Sequence, residues 1–482
     1  MSNQDNTDSH SSHSLPDLGS AYCFEGNIIK RFYYDGTTNI RQLSDSTYTV
    51  NAVYLSGLMS DLRDFTDVEQ HFRALKNVKE ILLSKTHIAL CLYENKLTDI
   101  LLDSIRHFKE GEIVEELLYI LIVITGFSSR GVKEVAASGA IPLLFNLMKS
   151  ADSLIIVYLS AWVVSNLIGE NYSLCQLIMK EGFLSLVHEK ISETSIMPIT
   201  RTLSRGVLSV CRYPVPKNTV TKLLETIKCL ISHPDPILQW DAVWCVSLIT
   251  DFGITNINEA IFNFGIVFKM LAILNSKENY VLSPLTHSFA NMTASSDSLT
   301  RSLVKNGILK NVPLLLSYEN VQVRTDAAMM FGNIISRMSN EVSNMITDEY
   351  LNIGLVKLTT DKPAVQTEMI WVFSNLLLTN NKRILGELLK RNVMKHIFEI
   401  LHSQAEDIKL IALFAIKSKL YMPSVARAIA LNLHKSGAIP LIQRVSCDKI
   451  DSVANVSEII LSVLRKILDQ MRLNLSMRKT RV

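Results

Sequence analysis

The amino-acid sequence predicts an all-α solenoid of about nine to ten helical repeats. The segment SGAIPLL at 138–144 returns as SGAIPLI at 436–442. Glycines at positions 139, 182, 265 and 307 lie one or two periods of about 42 residues apart. The chain is 48% hydrophobic yet holds only 18 Gly and 12 Pro among 482 residues, which favours apolar helices over a turn-rich fold.

The recurring glycines predict the junction between two helices of each repeat. Glycine takes a positive φ without steric cost, so it suits the end of a helix. Each of these glycines is followed by a short apolar link and a leucine-rich segment, as in EGFLSLV from 181 and NGILKNVPLLL from 306. The period fits HEAT and armadillo repeats, at about 40 to 47 residues, and excludes tetratricopeptide and ankyrin repeats, at about 34 and 33.

A second pattern recurs at the same period inside apolar helical segments. Its first slot is occupied, at intervals of 39 to 43 residues, by Tyr119, Trp162, Arg205, Trp244, His287, Met329, Trp371 and Phe414. The second slot, four residues later, holds Val123, Asn166, Ser209, Leu248, Asn291, Asn333, Asn375 and Ser418. Equivalent positions of a solenoid stack along one face, so the asparagines are predicted to line a continuous concave groove.

Such a groove suits an extended, positively charged peptide. A side-chain amide can pair with both the N–H and the C=O groups of a peptide backbone. Indoles can pack against the aliphatic stems of Lys and Arg while attracting their charge by cation–π interaction. Four carboxylates close to the slots are candidates to receive the cationic tips: Glu170, Asp251, Asp297 and Glu368.

Four segments carry a family resemblance. AWVVSNLIGEN (161–171) and MIWVFSNLLL (369–378) resemble the third helices of importin-α-type nuclear transport adaptors, which are armadillo solenoids with a WxxxN pattern in most repeats. QWDAVWCVSLITD (239–251) is similar to the fourth repeat of that family, where Trp is kept without Asn. SPLTHSFAN (283–291) resembles the fifth, where a basic residue precedes Asn.

The resemblance covers roughly residues 65–445 and implies a right-handed superhelix that binds basic nuclear localisation signals along its groove. It implies a major peptide site in the early repeats and a minor site in the later repeats. Asp251 is added to the major site because it lies near Trp244 in the sequence. The major site would comprise Trp162, Asn166, Glu170, Trp244 and Asp251. The minor site would comprise Asn333, Glu368, Trp371 and Asn375, with Asn291 and Asp297 between the two.

Several slots depart from the family pattern. Tyr119 and Val123 occupy the first pair of slots, and Met329 replaces the sixth Trp. Arg205, with Ser209, replaces the third pair, and its guanidinium is expected to repel a cationic side chain of the cargo. These departures predict an altered signal preference.

Three segments are predicted: a polar N-terminal segment at 1–62, the armadillo solenoid at 63–470 and a basic tail at 471–482. The family couples cargo to an importin-β-type carrier through a Lys/Arg-rich N-terminal segment. Here the only basic residues in 1–62 are Lys30, Arg31 and Arg41. This segment is therefore at most a degenerate importin-β-binding region, and the carrier is a doubtful partner. The predicted partners are cargo proteins with basic signals.

Composition and motifs exclude several other classes. A net charge of +3 argues against direct nucleic-acid binding. The most apolar run, 117–127, is too short for a membrane helix, and residues 1–20 lack the features of a secretory signal. Seven cysteines without a CxxC pair indicate reduced thiols, in keeping with the cytoplasm and nucleus that the resemblance implies.

No phosphate-binding loop, HExxH, nucleophile elbow or paired-cysteine zinc motif occurs, so neither enzymatic activity nor a cofactor nor a metal is expected. One alternative stays open. An armadillo scaffold could bind other extended peptides through the same amides without any role in import. Groove charge separates the two, because basic cargo needs carboxylates around the indoles whereas acidic partners need a Lys/Arg stripe.

Overall fold

The computed structural model describes residues 52–84, 92, 96–127, 129–193, 196–252, 256–275 and 281–479. Every regular element in these ranges is a helix, and none is a strand, which confirms the predicted all-α class. The chain divides into one unit at residues 1–60 and another at 61–482. In the first unit the described residues belong to helix Ala52–Asp61, so Lys30, Arg31, Arg41 and most of the predicted N-terminal segment lie outside the described residues.

The described α-helices are numbered α1 to α26 in chain order. They are Ala52–Asp61, Val68–Ser84, Leu97–Phe108, Glu112–Phe127, Ser129–Ala137, Ala140–Ser150, Leu154–Glu170, Tyr172–Lys180, Phe183–Glu193, Met197–Val210, Val220–Ser232, Pro236–Asp251, Ile257–Asn263, Ile266–Asn275, Leu282–Ser295, Asp297–Lys305, Val312–Leu316, Val321–Val342, Asp348–Thr360, Pro363–Leu378, Lys382–Lys390, Val393–Leu401, Glu406–Leu420, Ala426–Lys435, Ile439–Ser446 and Asp451–Lys479. Two 3₁₀ segments, Lys217–Thr219 and Ile308–Asn311, complete the set.

Ten of these helices pack side by side in chain order, each against the next, and we call them the stacked row. They are α2, α4, α7, α10, α12, α15, α18, α20, α23 and α26. A second layer, formed by the helix that precedes each member of the row from α4 onward, covers one side of it, as α6 covers α7 and α19 covers α20. Because each repeat buries its apolar face against its neighbours, this is the solenoid architecture that the repeat period predicts.

The glycine junctions are confirmed. Gly139, Gly182, Gly265 and Gly307 have φ between 76° and 93°, and each immediately precedes the second helix of its repeat or the 3₁₀ turn that leads into it. Asn392, with φ of 51°, takes the same place before α22. Asparagine is among the few other residues that tolerate this left-handed conformation, which explains why the glycine pattern is interrupted there.

The core lies between the stacked row and the second layer. It is filled by Leu, Ile and Val together with large aromatic side chains that are almost completely buried, among them Phe183, Phe289, Phe331, Phe373 and Phe398. Burial of a Phe side chain contributes about 1.5 to 3 kcal/mol to folding.

A repeated ion pair joins consecutive members of the stacked row. In each case a cation near the start of one helix meets an aspartate in the turn before the next helix of the row, with a nitrogen–oxygen distance of 2.7 Å. The pairs are Arg201–Asp235, Arg324–Asp361 and Lys409–Asp448. These side chains are only 5% to 24% exposed, so the pairs are partly shielded from solvent screening.

Two further features concern long or apolar helices. Helix α26 runs through residue 470, so the segment predicted as a basic tail begins inside it. In the described part of the chain, no single helix is both long and apolar enough to cross a membrane. Helices α13 and α14 together have the length and composition of a membrane span, but the pair is bent by 77°.

Candidate functional site

The slot residues predicted from the sequence all lie on helices of the stacked row. Each first-slot residue is half-buried, except Phe414, which is exposed. On α20 the residues Glu368, Trp371 and Asn375 are half-buried, whereas Val372 and Phe373 between them are buried in the core. The slots thus form one partly exposed stripe per helix, and together the stripes form a surface that we call the ladder face.

The four asparagines of the ladder face are used in the same way. Each donates an N–H of its amide to the preceding repeat, 40 to 43 residues earlier. Asn333 and Asn375 donate to main-chain oxygens, Ala290 O at 3.2 Å and Gly332 O at 3.3 Å. Asn166 and Asn291 donate to threonine hydroxyls, Thr125 Oγ1 at 3.1 Å and Thr250 Oγ1 at 3.2 Å.

These hydrogen bonds partly explain why asparagine recurs at the second slot. One amide N–H ties each repeat to the one before it, so the side chain has a structural role without any ligand. The amide has a further N–H and a carbonyl oxygen with two lone pairs. A peptide backbone could use these groups, and the predicted binding role of the asparagines stays a prediction.

In the early half of the ladder face, Trp162 packs edge-on against Tyr158, with ring centroids 5.6 Å apart. Glu170, predicted to meet a cargo cation, accepts a hydrogen bond from the Ser129 hydroxyl of the preceding repeat. A serine leaves the charge of this carboxylate in place, so Glu170 keeps the electrostatic property that the prediction requires.

Arg205 is folded onto the next repeat. Its guanidinium carbon lies 5.0 Å from the ring centroid of Trp240, and its Nε lies 3.3 Å from Asp241 Oδ1. Asp241 is fully buried and also accepts a hydrogen bond from Ser204. Burial raises the pKa of Asp241 to about 6, and the charge of Arg205 opposes that rise. Trp244, the predicted site residue, packs against Trp240 with the two rings tilted and their centroids 5.7 Å apart.

The centre of the ladder face contains a histidine held between two carboxylates. His287 Nε2 donates to Asp251 Oδ1 at 2.7 Å, and its Nδ1 lies 3.4 Å from Asp326 Oδ1. The hydrogen bonds with Asp251 and Asp326 raise the pKa of His287 to about 10, so the ring is charged at neutral pH. Asp251 also accepts from Asn291 Nδ2 at 2.7 Å. It is therefore already engaged by neighbours on the face.

Asp297, predicted as an intermediate site residue, is paired within the protein. Arg337 Nη1 lies 2.6 Å from Asp297 Oδ1, and Nη2 of the same guanidinium donates to Ala294 O. Arg337 comes four residues after Asn333, one helical turn along the stripe. Its positive charge offsets that of Asp297 at this point of the ladder face.

The later half presents carboxylates with fewer partners. Burial and the neighbouring Asp326 raise the pKa of Glu368 to about 7, and among the described residues no ion pair or hydrogen bond involves its carboxylate. Asp326 is 2% exposed, and its Oδ2 is a buried acceptor without a hydrogen-bond partner in the described structure. Trp371 and Asn375 lie on the same stripe as Glu368, one and two turns further along α20.

Sequence reasoning singled out Glu368 but missed related acids at the same helix position. Three residues before the first slot, the chain also carries Glu116, Asp241 and Asp326. The spacing of three residues could have revealed them. The hydroxyl partners Thr125 and Thr250 were missed because they belong to the preceding repeat, and only the stacking of the helices brings them to the asparagines.

Comparison with known proteins places limits on identity. No family model matches the chain. Importin subunit alpha-2 of Caenorhabditis elegans is 25% identical over 201 residues, which cover 40% of this chain and 37% of that protein. The chain therefore matches little more than a third of the length of this relative.

Among solved structures, the crystal structure of an engineered protein matches with a TM-score of 0.73 at 16% identity, over 85% of this chain and 98% of that one. A second engineered protein matches 49% of this chain, and 98% of its own, at 18% identity with a TM-score of 0.44, a score too low to bear on the fold. Taken with the stacked row, the first structure and the partial importin-α likeness support an armadillo-like helical solenoid.

Proposed function

We propose that the ladder face binds an extended, Lys/Arg-rich peptide and that the chain acts, without enzymatic activity, as a nuclear import adaptor for cargo carrying basic localisation signals. One observation carries this proposal: half-buried indoles and amides recur at one position of the repeat, and next to them lies Glu368, whose carboxylate has no ion pair or hydrogen bond among the described residues. Indole faces and carboxylates together attract Lys and Arg, and amides pair with an extended backbone.

The wider import role rests on the partial likeness to an importin-α. It comprises transfer of cargo between cytoplasm and nucleus and, as a further proposal, linkage to an importin-β-type carrier. The few cations in residues 1–62 argue for weak coupling to that carrier. Neither nucleic acid nor membrane is part of the proposal.

A scaffold for other peptides is the competing proposal, and one observation favours it. Arg205, His287 and Arg337 place three cations on the ladder face, more than a surface specialised for basic peptides requires. Each of them is paired with an aspartate, however, so they do not form the continuous positive stripe that acidic partners need.

Peptide binding tests the proposal directly. Fluorescence anisotropy with a labelled lysine-rich peptide should give salt-sensitive binding that is weakened about two- to thirty-fold by Trp371→Ala, the loss of one cation–π contact. Asn375→Ala should weaken it as well. Phe268→Ala and Asn146→Ala, which alter exposed residues away from the ladder face, serve as matched controls. Equal affinity for an acidic peptide of the same length would favour the scaffold.

A further inference from the structure

Arg205 stands at the one first slot between two tryptophan slots, Trp162 before it and Trp244 after it. Its side chain is 34% exposed, yet its guanidinium is turned toward the next repeat. There it covers the ring of Trp240, at 5.0 Å, and meets Asp241 at 3.3 Å. The residue thus joins two adjacent members of the stacked row, α10 and α12.

The surroundings of Arg205 are those that a cationic side chain of a bound peptide would seek. They consist of an aromatic face and a carboxylate, the two groups that attract a guanidinium most strongly in proteins. Trp240 is 7% exposed and Asp241 is fully buried, so the protein's own arginine uses both groups and little of either is accessible. An incoming Lys or Arg would meet the charge of Arg205 instead.

The later half of the ladder face differs in this respect. Within the described residues, no Lys or Arg forms an ion pair with Glu368 or Asp326. His287 and the amide of Gln322 both face Asp326 Oδ1, and Asp326 Oδ2 has no hydrogen-bond partner in the described structure. The half-buried Glu368 lies one turn before the first slot of Trp371, and there a peptide cation can still gain a partner.

We propose that Arg205 is a built-in occupant of the cation site between the third and fourth slots, and that it directs basic peptides to the later half of the ladder face. The inference rests on the proposed function, because it assumes that a basic peptide binds. It specifies that each chain binds one peptide, near Trp371 and Asn375. The family resemblance, in contrast, implies that the major site lies near Trp162 and Trp244.

Removing Arg205 alone is a poor test, because it leaves the carboxylate of Asp241 buried and unpaired, which destabilises a protein strongly. The double variant Arg205→Met/Asp241→Asn removes both charges together and keeps the net charge and the approximate volume. The variant Arg201→Met/Asp235→Asn is a matched control, since it removes another Arg–Asp pair between the same two helices. Asparagine at 235 can still cap α12.

The measurement is the stoichiometry of a lysine-rich peptide by isothermal titration calorimetry, with circular dichroism confirming the fold of each variant. The wild-type protein should bind one peptide, weakened about tenfold or more by Trp371→Ala combined with Asn375→Ala and less than about twofold by Trp162→Ala. Arg205→Met/Asp241→Asn, which removes the repelling charge together with the carboxylate and leaves the indoles of Trp162 and Trp244, should gain a second, weaker site, which Trp162→Ala abolishes. The control variant should keep one site.

Two results would overturn the inference while leaving the proposed function intact: a wild-type affinity that depends on Trp162 as much as on Trp371, or a double variant that still binds one peptide. Failure of the peptide to bind the wild type and every variant would overturn both the inference and the proposed function.

Discussion

Asn375 donates a side-chain hydrogen bond to the main-chain oxygen of Gly332, 3.3 Å away and one repeat earlier in the chain. Asn333 makes the equivalent bond to Ala290 O at 3.2 Å. The residue expected to contact a peptide is therefore also a tie between repeats. A substitution at the second slot should affect stability and binding together, and the two effects can be measured separately.

Asn375→Ala should lower the free energy of unfolding by about 1 kcal/mol, the typical net value of one hydrogen bond, because Gly332 O loses its donor. Asn375→Asp should lower it further, since a carboxylate cannot donate and would face the carbonyl oxygen. Urea denaturation provides the measurement. The exposed Asn146→Ala is the control, and equal stability of Asn375→Ala and wild type would show that the tie is not stabilising.

Glu368 should make both stability and peptide binding depend on pH. Its pKa is about 7 in the folded protein and 4.5 as an ordinary glutamate, so the folded state favours the protonated form. The unfolded chain ionises first as pH rises, so the contribution of Glu368 to stability is fully present below pH 4.5 and is lost between pH 4.5 and 7. Affinity for a cationic peptide should change in the opposite sense, rising as Glu368 ionises around pH 7.

The test compares wild type with Glu368→Gln, which has a similar shape and does not titrate. Denaturation at about pH 5 and about pH 8 should show Glu368→Gln gaining more stability relative to wild type at the higher pH than at the lower. Anisotropy with a basic peptide should show an affinity that rises with pH in wild type more than in the variant. Identical pH profiles for the two proteins would contradict the role assigned to this carboxylate.

The ion pair of Arg324 and Asp361 should be a major stabilising contact of the later repeats. Two guanidinium nitrogens each donate to an oxygen of Asp361 at 2.7 Å, and Nη1 donates to Tyr318 O and Glu319 O. The side chains are only 11% and 5% exposed. Lys357 Nζ lies 3.4 Å from Asp361 Oδ2 and remains as a second cation, so Arg324→Ala should cost up to about 3 kcal/mol, the low end of the penalty for a buried charge left without any partner.

Hydrogen exchange should locate this loss in the repeats around α18 and α20, because a solenoid repeat contacts only its neighbours. Burial raises the pKa of Asp361, but the hydrogen bonds from Arg324 and from the main-chain N–H of Lys362 outweigh it and leave the pKa below 3.8. The stabilisation is then lost as pH falls through that lowered value. Arg301→Ala, which breaks an exposed and solvent-screened pair with Glu341, should change stability far less than Arg324→Ala does.

Gly206 should not tolerate a side chain. A Cβ at this position of α10 would lie 2.6 Å from Phe183 Cζ and 2.9 Å from Ser165 Oγ, and Phe183 is fully buried and cannot move aside cheaply. Gly206→Ala should therefore destabilise by about 1 to 3 kcal/mol. Gly386→Ala on α21, where a Cβ meets nothing within 4 Å, should instead stabilise by about 0.5 to 1 kcal/mol. Thermal denaturation of both variants compares them, and a Gly206→Ala protein as stable as wild type would contradict the packing described.

The repeat period and the slot positions could be read from the sequence because each arises from local chain geometry. A glycine marks a helix junction, and a spacing of four residues marks one helical face, so Trp371 and Asn375 could be placed on one stripe before the structure was known. The partners of the slot residues could not be predicted in the same way. Asp297 with Arg337, and Asn166 with Thr125, are joined across about 40 residues by the exact stacking of two helices, which no local pattern records.

Arg205 shows the same limit more sharply. The sequence indicates a cation in a row of indoles and predicts repulsion of basic cargo. It does not indicate that the guanidinium is turned onto the next repeat, where it pairs with Asp241 and covers Trp240, because that depends on how α10 packs against α12.

The hydrogen bonds of the asparagine side chains determine which peptide conformation the ladder face can select. Since each asparagine is anchored to the repeat before it, the interval between successive asparagines is established when the protein folds and does not await a ligand. The spacing of the asparagines is therefore preorganised, and the protein loses little conformational entropy when a peptide binds. An extended peptide whose residues match that interval can contact successive asparagines without rearrangement. The residues of a compact or helical segment are spaced differently and would contact one asparagine but not the next.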